Sequence, residues 1–374
     1  MRKTLLCALA ALACACSDGK RDGKMIEVFQ RHSLEAHDPA RLRAELSARG
    51  PAGLKLFDPY AALVGARPRV AAAAALSPAP STGLLLGPCG ARVCALRVLR
   101  GSPADKAGMK DFDRLLAAAG AGPSPEAILP VFAREPRELV LKAERMRRPG
   151  ELSFALKPAG FRPPGIFGFY DPSASAAYVR LPSFPAGAAG LVESGLASMK
   201  AYGFRRIVLD LRYNRGGLPR EAAAVFALFA ARGRPCFSIS SRHEGYNMAF
   251  PPGKGGPYAG VPLAVLVNDE TAMAAEALAA ALREGAGARL YGAKTKGSAT
   301  VVKTFRLDGR GGLRLAVARF LAPSGAALEG AGLEPDVAVP PAGPAFHGDW
   351  LRPAETLLYR DAAWLAAVGR AGRG

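Results

Sequence analysis

The chain has 374 residues, of which 50% are hydrophobic, and this length is sufficient for two or three domains with a sizeable core. Its 50 lysines and arginines outnumber its 31 acidic residues, which gives a formal net charge of +19. The basic residues are scattered and show neither zinc-finger spacing nor interleaved aromatic residues, so we predict no nucleic-acid partner. No histidine lies near a cysteine pair, and we predict no metal and no cofactor.

The first twenty residues have the layout of an export signal. Two basic residues precede a short apolar stretch, and small residues lead to a polar break in MRKTLLCALAALACACSDGK. We place the signal at residues 1–16. Its end resembles the lipobox of bacterial lipoproteins, with Cys16 as the lipidated residue and Cys14 as the less favoured candidate. The usual leucine three places before the cysteine is absent, so plain secretion is the alternative. We expect a protein of the periplasm or cell envelope, attached to the membrane only if that lipid is present.

After the signal, three segments follow in chain order. Residues 24–67 are expected to be helical, because leucines recur there among charged residues. The alanine- and proline-rich stretch 68–80 is typical of a linker. Residues 81–147 are expected to form a compact module of strands, with a short capped helix in SPADKAGM.

Three cysteines lie beyond the signal. Cys89 and Cys94 flank a glycine-containing turn between two apolar runs, and in an oxidising compartment they could form a disulfide. Cys236 is then left over, and we expect a buried, unpaired thiol.

Strands and helices alternate over residues 160–340. Continuous apolar strands, of the kind buried on both faces, are predicted in RIVLDLR and PLAVLVN. Helices are predicted in REAAAVFALFAARG and AMAAEALAAALREG. This alternation predicts an α/β core, a sheet with helices packed on it, within a multidomain chain. A helical tail is expected over residues 341–374.

Two groups of motifs carry a family resemblance. Residues 101–120, GSPADKAGMKDFDRLLAAAG, look like the signature of the PDZ domains in bacterial proteases, although Phe112 replaces the glycine that usually precedes the aspartate. The order and spacing of the tail-specific, or C-terminal processing, serine peptidases are found in YVRLPSF, RIVLDLRYNRGG, PLAVLVNDETAMAAE, GAKTKGSATVV and RFLAPSGAALEGAGLEPDVAV. That family's N-terminal helical region is resembled by GLKLFDPYAAL. The resemblance implies a fold whose family reaction is hydrolysis of C-terminal tails.

The nucleophile position of this family does not hold a serine. The family uses a serine activated by a lysine, which is neutral only when burial lowers its pKa. The family pattern Asn-x-x-Ser/Thr-Ala-Ser-Ala-Ser/Ala-Glu fits residues 268–276 without a gap, and it places Met273 at the nucleophile position. A thioether cannot be deprotonated to attack a carbonyl group, so this position offers no nucleophile.

The lysine position can be aligned in two ways. An ungapped match to Gly-x-x-Thr-x-Gly-Lys-Gly-Ser-Val-Gln places Ser298 at the position of the base. A two-residue gap would instead align Lys296 with the family lysine. We favour the ungapped alignment, and the conventional dyad is then absent. Lys294 and Lys296 remain as surrogate bases, and Thr271 and Ser298 as surrogate nucleophiles.

Two further groups of residues are implied by the resemblance. The oxyanion of the family reaction is held by backbone amides, here implied at Gly216 or Gly217 and at Ala274. The PDZ resemblance implies a loop that holds the carboxylate of a peptide tail by β-augmentation. That implied peptide-binding loop consists of Gly83, Leu84 and Leu85. A module kept only for its fold is the alternative.

The sequence thus leads to a non-catalytic peptide-binding or scaffold homologue of the tail-specific peptidases. Its expected partner is a polypeptide tail, or a protein bound through the PDZ-like domain. One alternative is an active serine-type peptidase that uses Ser298 or Thr271 with Lys294 or Lys296. Another is a structural envelope lipoprotein without a peptide ligand.

Overall fold

A computed structural model of the chain describes an N-terminal region, a five-stranded module and an α/β core. The predicted signal with Cys16, the linker up to residue 79, and the predicted tail apart from residues 366–369 lie outside the described residues. The described residues are 22–65, 80–89, 92–124, 127–128, 131–132, 138–145, 148–160, 166–307, 311–339 and 366–369.

The N-terminal region consists of helices that end in a strand. Helix α1 covers residues 22–32, helix α2 covers Pro39–Arg49, and a 3₁₀ helix covers Gly50–Leu56. Strand β1, Ala62–Gly65, follows and pairs antiparallel with a long strand of the core. The helical prediction was therefore wrong for residues 62–65, since pairing with another strand decides their conformation and local helix preference does not.

The five-stranded module is an antiparallel sheet with β3 at one edge, in the order β3-β4-β5-β6-β7. The capped helix predicted in SPADKAGM is α3, Pro103–Lys106, and the Ser102 side chain accepts a hydrogen bond from the Asp105 N–H. The sheet continues to Leu156, past the predicted end of the module at residue 147. The strands are β2 (Pro80–Ser81), β3 (Leu84–Cys89), β4 (Arg92–Val98), β5 (Arg114–Ala118), β6 (Leu139–Arg145), β7 (Arg148–Leu156) and β8 (Ala159–Gly160), and β2 pairs with β8 alone.

The core contains a six-stranded sheet in the order β18-β15-β14-β11-β10-β9, in which only the β9–β10 pair is antiparallel. This architecture confirms the predicted α/β class. The strands are β9 (Phe167–Asp171), β10 (Ala176–Arg180), β11 (Arg206–Asp210), β12 (Ser238–Ser240), β13 (Met248–Ala249), β14 (Leu263–Val267), β15 (Arg289–Gly292), β16 (Thr300–Leu307), β17 (Gly311–Leu321) and β18 (Val337–Ala338). The helices are α4 (Ala188–Met199), α5 (Pro219–Phe229) and α6 (Ala274–Ala286).

A second core sheet joins the N-terminal region to the core. It has the order β1-β17-β12-β13, and β16 also pairs with β17. Leu42 and Leu54 of the N-terminal region are buried in one cluster with Leu313 and Leu315 of β17. The N-terminal region is therefore part of the core structure and is held there by apolar burial.

Opposite faces of the six-stranded sheet contact different partners, as the alternation of side chains along a strand requires. On β10, Ala177 lies in the cluster with helices α4, α5 and α6, whereas Ala176 lies in a cluster that includes Leu85 and Leu96 of the module. The module is thus docked on one face of the sheet. Among the described residues, none of the helices combines the length and the apolar character that a bilayer crossing requires.

The cysteines beyond the signal are placed as follows. Cys94 is disulfide-bonded, while the side chain of its predicted partner, Cys89, lies outside the described residues. Cys236 is free and buried, as predicted, and burial raises the pKa of its thiol to about 12. The Cys236 thiol is therefore protonated at physiological pH and unreactive.

Candidate functional site

The candidate site lies at the carboxyl ends of the parallel strands β10, β11, β14 and β15. In open α/β sheets, this edge is where ligands bind. The loops 211–218, 268–273 and 293–299 leave three of these strands and converge there. Hydrogen bonds join the loops to one another: Ala272 N–H donates to the Asn214 carbonyl (2.9 Å), and Lys296 N–H donates to the Thr271 carbonyl (3.0 Å).

Thr271 serves the structure of this edge. Its hydroxyl donates to the Leu211 carbonyl (3.0 Å) and accepts from the Asn268 N–H (3.0 Å). The Asn268 side chain in turn accepts from the Tyr213 N–H at 2.9 Å. Thr271 has no exposed surface. Its hydroxyl is thus held away from any substrate by two backbone partners.

Met273 occupies a strained turn immediately before α6. Its φ of 56° and ψ of −125° lie where a side chain is costly, and such conformations cluster at functional sites. The turn approaches Gly216 closely, because a Cβ atom added to Gly216 would lie 2.9 Å from Met273 Cβ and 3.3 Å from the Ala274 nitrogen. Only glycine fits there, and this close approach brings the loop after β11 against the start of α6.

The structure brings together the backbone amides implied for an oxyanion, but one of them, Gly216 N–H, already has a partner. Gly216 N–H donates to the Asn214 side chain at 2.8 Å, so this amide is already used. Within the described part of the chain, Gly217 N–H and Ala274 N–H donate to no other group. Ala274 is also the first residue of α6, where the helix dipole favours negative charge. These two amides are the remaining donors for an anion.

Glu276 fixes the loop that carries the base position. This carboxylate is fully buried and accepts from Thr295 Oγ1 (2.5 Å), Gly297 N–H (2.7 Å) and Ser298 N–H (3.0 Å). Burial raises the pKa of Glu276, and the hydrogen bonds oppose that effect. The loop 293–299 is thereby attached to the first turn of α6.

Ser298 lies beside Met273 in space, although the two residues are far apart in the chain. Met273 N–H donates to the Ser298 carbonyl at 2.7 Å. The Ser298 hydroxyl lies 3.1 Å from the Tyr60 hydroxyl, which donates to Glu329 at 2.6 Å. Burial and the Glu329 hydrogen bond raise the pKa of Tyr60. A hydrogen-bonded chain of Ser298, Tyr60 and Glu329 therefore stands where the resemblance implies a lysine.

The two lysines named as surrogate bases point to solvent. Lys294 pairs with Glu334 at 2.9 Å, and Lys296 pairs with Glu270 at 3.4 Å. Their side chains are 55% and 43% exposed, so both ammonium groups lie at the surface, each beside a carboxylate. The structure does not bring either ammonium to Ser298 or Thr271 by any hydrogen bond among the described residues.

Sequence reasoning missed Tyr60, Glu329 and a buried ion pair beneath the site. Asp210 accepts from Arg212 Nη2 (2.6 Å) and from the Tyr178 hydroxyl (2.7 Å). Burial acts to raise the pKa of Asp210, but Arg212 and these hydrogen bonds hold it below its ordinary value. The charged residues of LDLR at the end of an apolar strand were the available signal for this pair.

The implied peptide-binding residues are buried. Leu84 packs inside the module, and Leu85 packs against the core sheet. The Gly83 carbonyl accepts from Leu99 N–H at 2.9 Å. Among the strands that the structure describes, β3 nevertheless has a neighbour on one side only, and its other edge is the place where an added strand would pair. Among the described residues, no group of three or more His, Cys, Asp or Glu side chains could hold a metal ion.

A strained residue before a buried helix, with free backbone amides beside it, is the arrangement of hydrolases that attack carbonyl groups. Residues 175–339 match the family model described as peptidase family S41. A carboxyl-terminal-processing protease of Picosynechococcus is 33% identical over 190 residues, which are 50% of this chain and 44% of the relative. The CtpA protease of Bacillus subtilis is 27% identical over 245 residues, 64% of this chain and 51% of the relative. The matched segment is thus similar to peptidase family S41 and to carboxyl-terminal-processing proteases.

Solved structures share the fold. The photosystem II D1 C-terminal processing protease superposes with a TM-score of 0.53 at 21% identity, covering 87% of this chain and 94% of that protein. A putative S41 protease of Bacteroides fragilis gives 0.52 at 17% identity, covering 92% and 96%. At these identities the likeness establishes the fold alone. The chain spans about half the length of the curated relatives it matches, 44% and 51% in the two cases above.

Proposed function

We propose that this protein is an exported homologue of the tail-specific peptidases that binds extended C-terminal tails and does not cleave them. The observation that carries the proposal is Met273 in the strained turn before α6, with a φ of 56°. A thioether there supplies no nucleophile. The loss of a catalytic serine typically costs about 10⁶ in turnover.

The surroundings of Met273 support binding. The Gly217 and Ala274 amides remain unpaired within the described chain, and they would favour an anion such as a peptide carboxylate. A C-terminal tail carries one carboxylate and an extended backbone. The edge of β3 that has no neighbour among the described strands offers a second place for that backbone. Export rests on the signal pattern of residues 1–16.

The first prediction is tail binding without cleavage. We expect a fluorescein-labelled, unstructured peptide with an apolar, free C-terminus to bind the protein saturably and to stay intact by mass spectrometry. The same peptide with an amidated C-terminus should bind more weakly, because an anion is lost. Met273→Glu should weaken binding by charge repulsion, whereas Val140→Glu, at an exposed position of β6, should not. Cleavage by the unaltered protein, or equal binding by the Met273→Glu variant, would contradict the proposal.

Photo-crosslinking locates the tail. A peptide with a photoreactive residue next to its C-terminus should crosslink to residues 216–218 or 273–274 if the two free amides hold the carboxylate. Crosslinks to residues 82–86 would instead assign the carboxylate to the module. Random labelling across the surface would remove the support for a tail-binding protein.

A second candidate function is favoured by the Ser298–Tyr60–Glu329 chain. In this alternative the protein is an active hydrolase with Ser298 as its nucleophile. The proton of the Ser298 hydroxyl would pass to the Tyr60 oxygen across the 3.1 Å contact. The proton of the Tyr60 hydroxyl would pass at the same time to the Glu329 carboxylate across the 2.6 Å contact. A fluorophosphonate probe distinguishes the two candidates. Labelling mapped to Ser298 and lost in Tyr60→Phe would establish the second, and an unlabelled protein leaves the first.

A further inference from the structure

Phe112 has a backbone conformation that its side chain disfavours. Its φ is 67°, in the left-handed region, where a bulky residue is an outlier. The sequence shows the same anomaly, because a glycine is usual at this place in the PDZ-like signature. Such a conformation persists only where the surrounding structure over-determines it. The contacts of the aromatic ring are therefore the place to look for the cause.

The ring of Phe112 leaves the module and contacts the core. It meets Tyr202 edge-on, with ring centroids 5.1 Å apart and an interplanar angle of 68°. It also meets Tyr170 of β9 at 6.4 Å and 71°. Tyr170 and Tyr202 are stacked on each other, at 5.3 Å and 10°. Three aromatic rings, one from the module and two from the core, thus form a single cluster.

This aromatic cluster borders the apolar contact between module and core. Leu85, Leu96 and Leu99 of the module share a buried cluster with Phe169 and Tyr178 of the core, and Phe112 packs against it. Tyr202 is 46% exposed, so the three rings lie at the rim of the contact. An edge-on aromatic contact at a rim adds attraction with a defined geometry, which apolar burial alone does not provide.

We propose that Phe112 is a latch that holds the five-stranded module docked on the six-stranded sheet. The strained backbone aims the ring at Tyr170 and Tyr202, and the ring closes the rim. With the latch in place, Leu85, which is one of the residues implied for tail binding, is held on the core sheet. Release of the latch separates the module from the core sheet and exposes the face of β3 that carries Leu85. The inference does not depend on whether the site at Met273 cleaves or binds.

Two neighbouring alanines provide the test. Ala176 faces the module and Ala177 faces the helices, and both are fully buried. A cysteine at 176 would react with a thiol reagent when the module undocks, whereas a cysteine at 177 would report opening of the core. In each of the two cysteine variants, mass spectrometry of the peptide that contains the introduced cysteine separates its labelling from that of other cysteines. Cys236, with a thiol pKa of about 12, contributes little.

We expect Phe112→Gly to accelerate labelling of Ala176→Cys about tenfold, while labelling of Ala177→Cys stays unchanged. Tyr202→Ser should do the same, and the two changes together should be less than additive because they remove one contact. Leu56→Ser, at an exposed position of the N-terminal region, is the control and should change neither rate. Slower labelling in Phe112→Gly would show that only strain had been relieved. Equal acceleration at 176 and 177 would show general destabilisation, and either result overturns the latch.

Discussion

The Met273→Ser, Ser298→Lys double variant is expected to cleave unstructured C-terminal tails that the unaltered protein leaves intact. A serine at 273 would stand in a turn with φ 56°, beside the free amides of Gly217 and Ala274. The introduced lysine would stand at position 298, close to position 273, because the Ser298 carbonyl accepts a hydrogen bond from Met273 N–H at 2.7 Å. Each single variant lacks one member of the dyad, so we expect the double variant to exceed either by about 10³-fold or more.

Glu329 will limit this gain. A lysine at 298 would extend towards Tyr60 and the carboxylate of Glu329, and a neighbouring carboxylate favours the charged ammonium. The pKa of the introduced lysine is therefore raised, and activity should appear only at alkaline pH. Adding Glu329→Gln should move the rising limb of the pH–rate profile to lower pH. Peptide turnover followed by mass spectrometry across pH checks both statements. An inert double variant that still binds the tail would show that the site lacks more than its dyad.

Glu276→Ala is expected to lower the free energy of unfolding by about 3–5 kcal/mol. The change leaves three donors of the 293–299 loop without this acceptor: the buried Thr295 hydroxyl and the partly buried N–H groups of Gly297 and Ser298. Glu276→Gln keeps one oxygen and should cost less. Glu284→Ala, on the exposed side of the same helix, is the control and should cost about 1 kcal/mol or less. Urea unfolding measures all three, and equal midpoints for the two alanine variants would contradict the role of Glu276.

The dependence of this effect on pH has a definite sign. Burial raises the pKa of Glu276 above its usual value of about 4.5, so the folded state holds this proton more tightly than the unfolded state does. The contribution of Glu276 to stability is largest below pH 4.5 and declines as pH rises to the folded-state pKa. Glu276→Gln should remove that decline. A stability profile of the variant that keeps the same slope in this window would assign the titration to another group.

The elements whose sequence signal is local, and the turn that contains Met273, were predicted correctly in position. Apolar runs marked β11 and β14, and an uninterrupted pattern match brought Met273 to the turn before α6. The strand at residues 62–65 was not predictable in this way, because its partner on β17 lies far along the chain. Tyr60 and Glu329 were missed for the same reason. The Tyr60 hydroxyl bonds across 238 residues to Ser298 and across 269 residues to Glu329, and no periodicity reports such a contact.

Tyr60 also gives the N-terminal region a thermodynamic connection to the site. Arg242 holds this region by donating to the carbonyls of Ser33 (2.8 Å) and Gln30 (2.6 Å), and Tyr60 adds its contact with Ser298. Attachment of residues 22–65 and occupancy of the site thus share the contact between Tyr60 and Ser298. A ligand that displaces Tyr60 from Ser298 weakens the attachment of the N-terminal region. By linkage, that attachment weakens binding of the ligand by the same free energy. The N-terminal region therefore acts as an internal competitor of any such ligand.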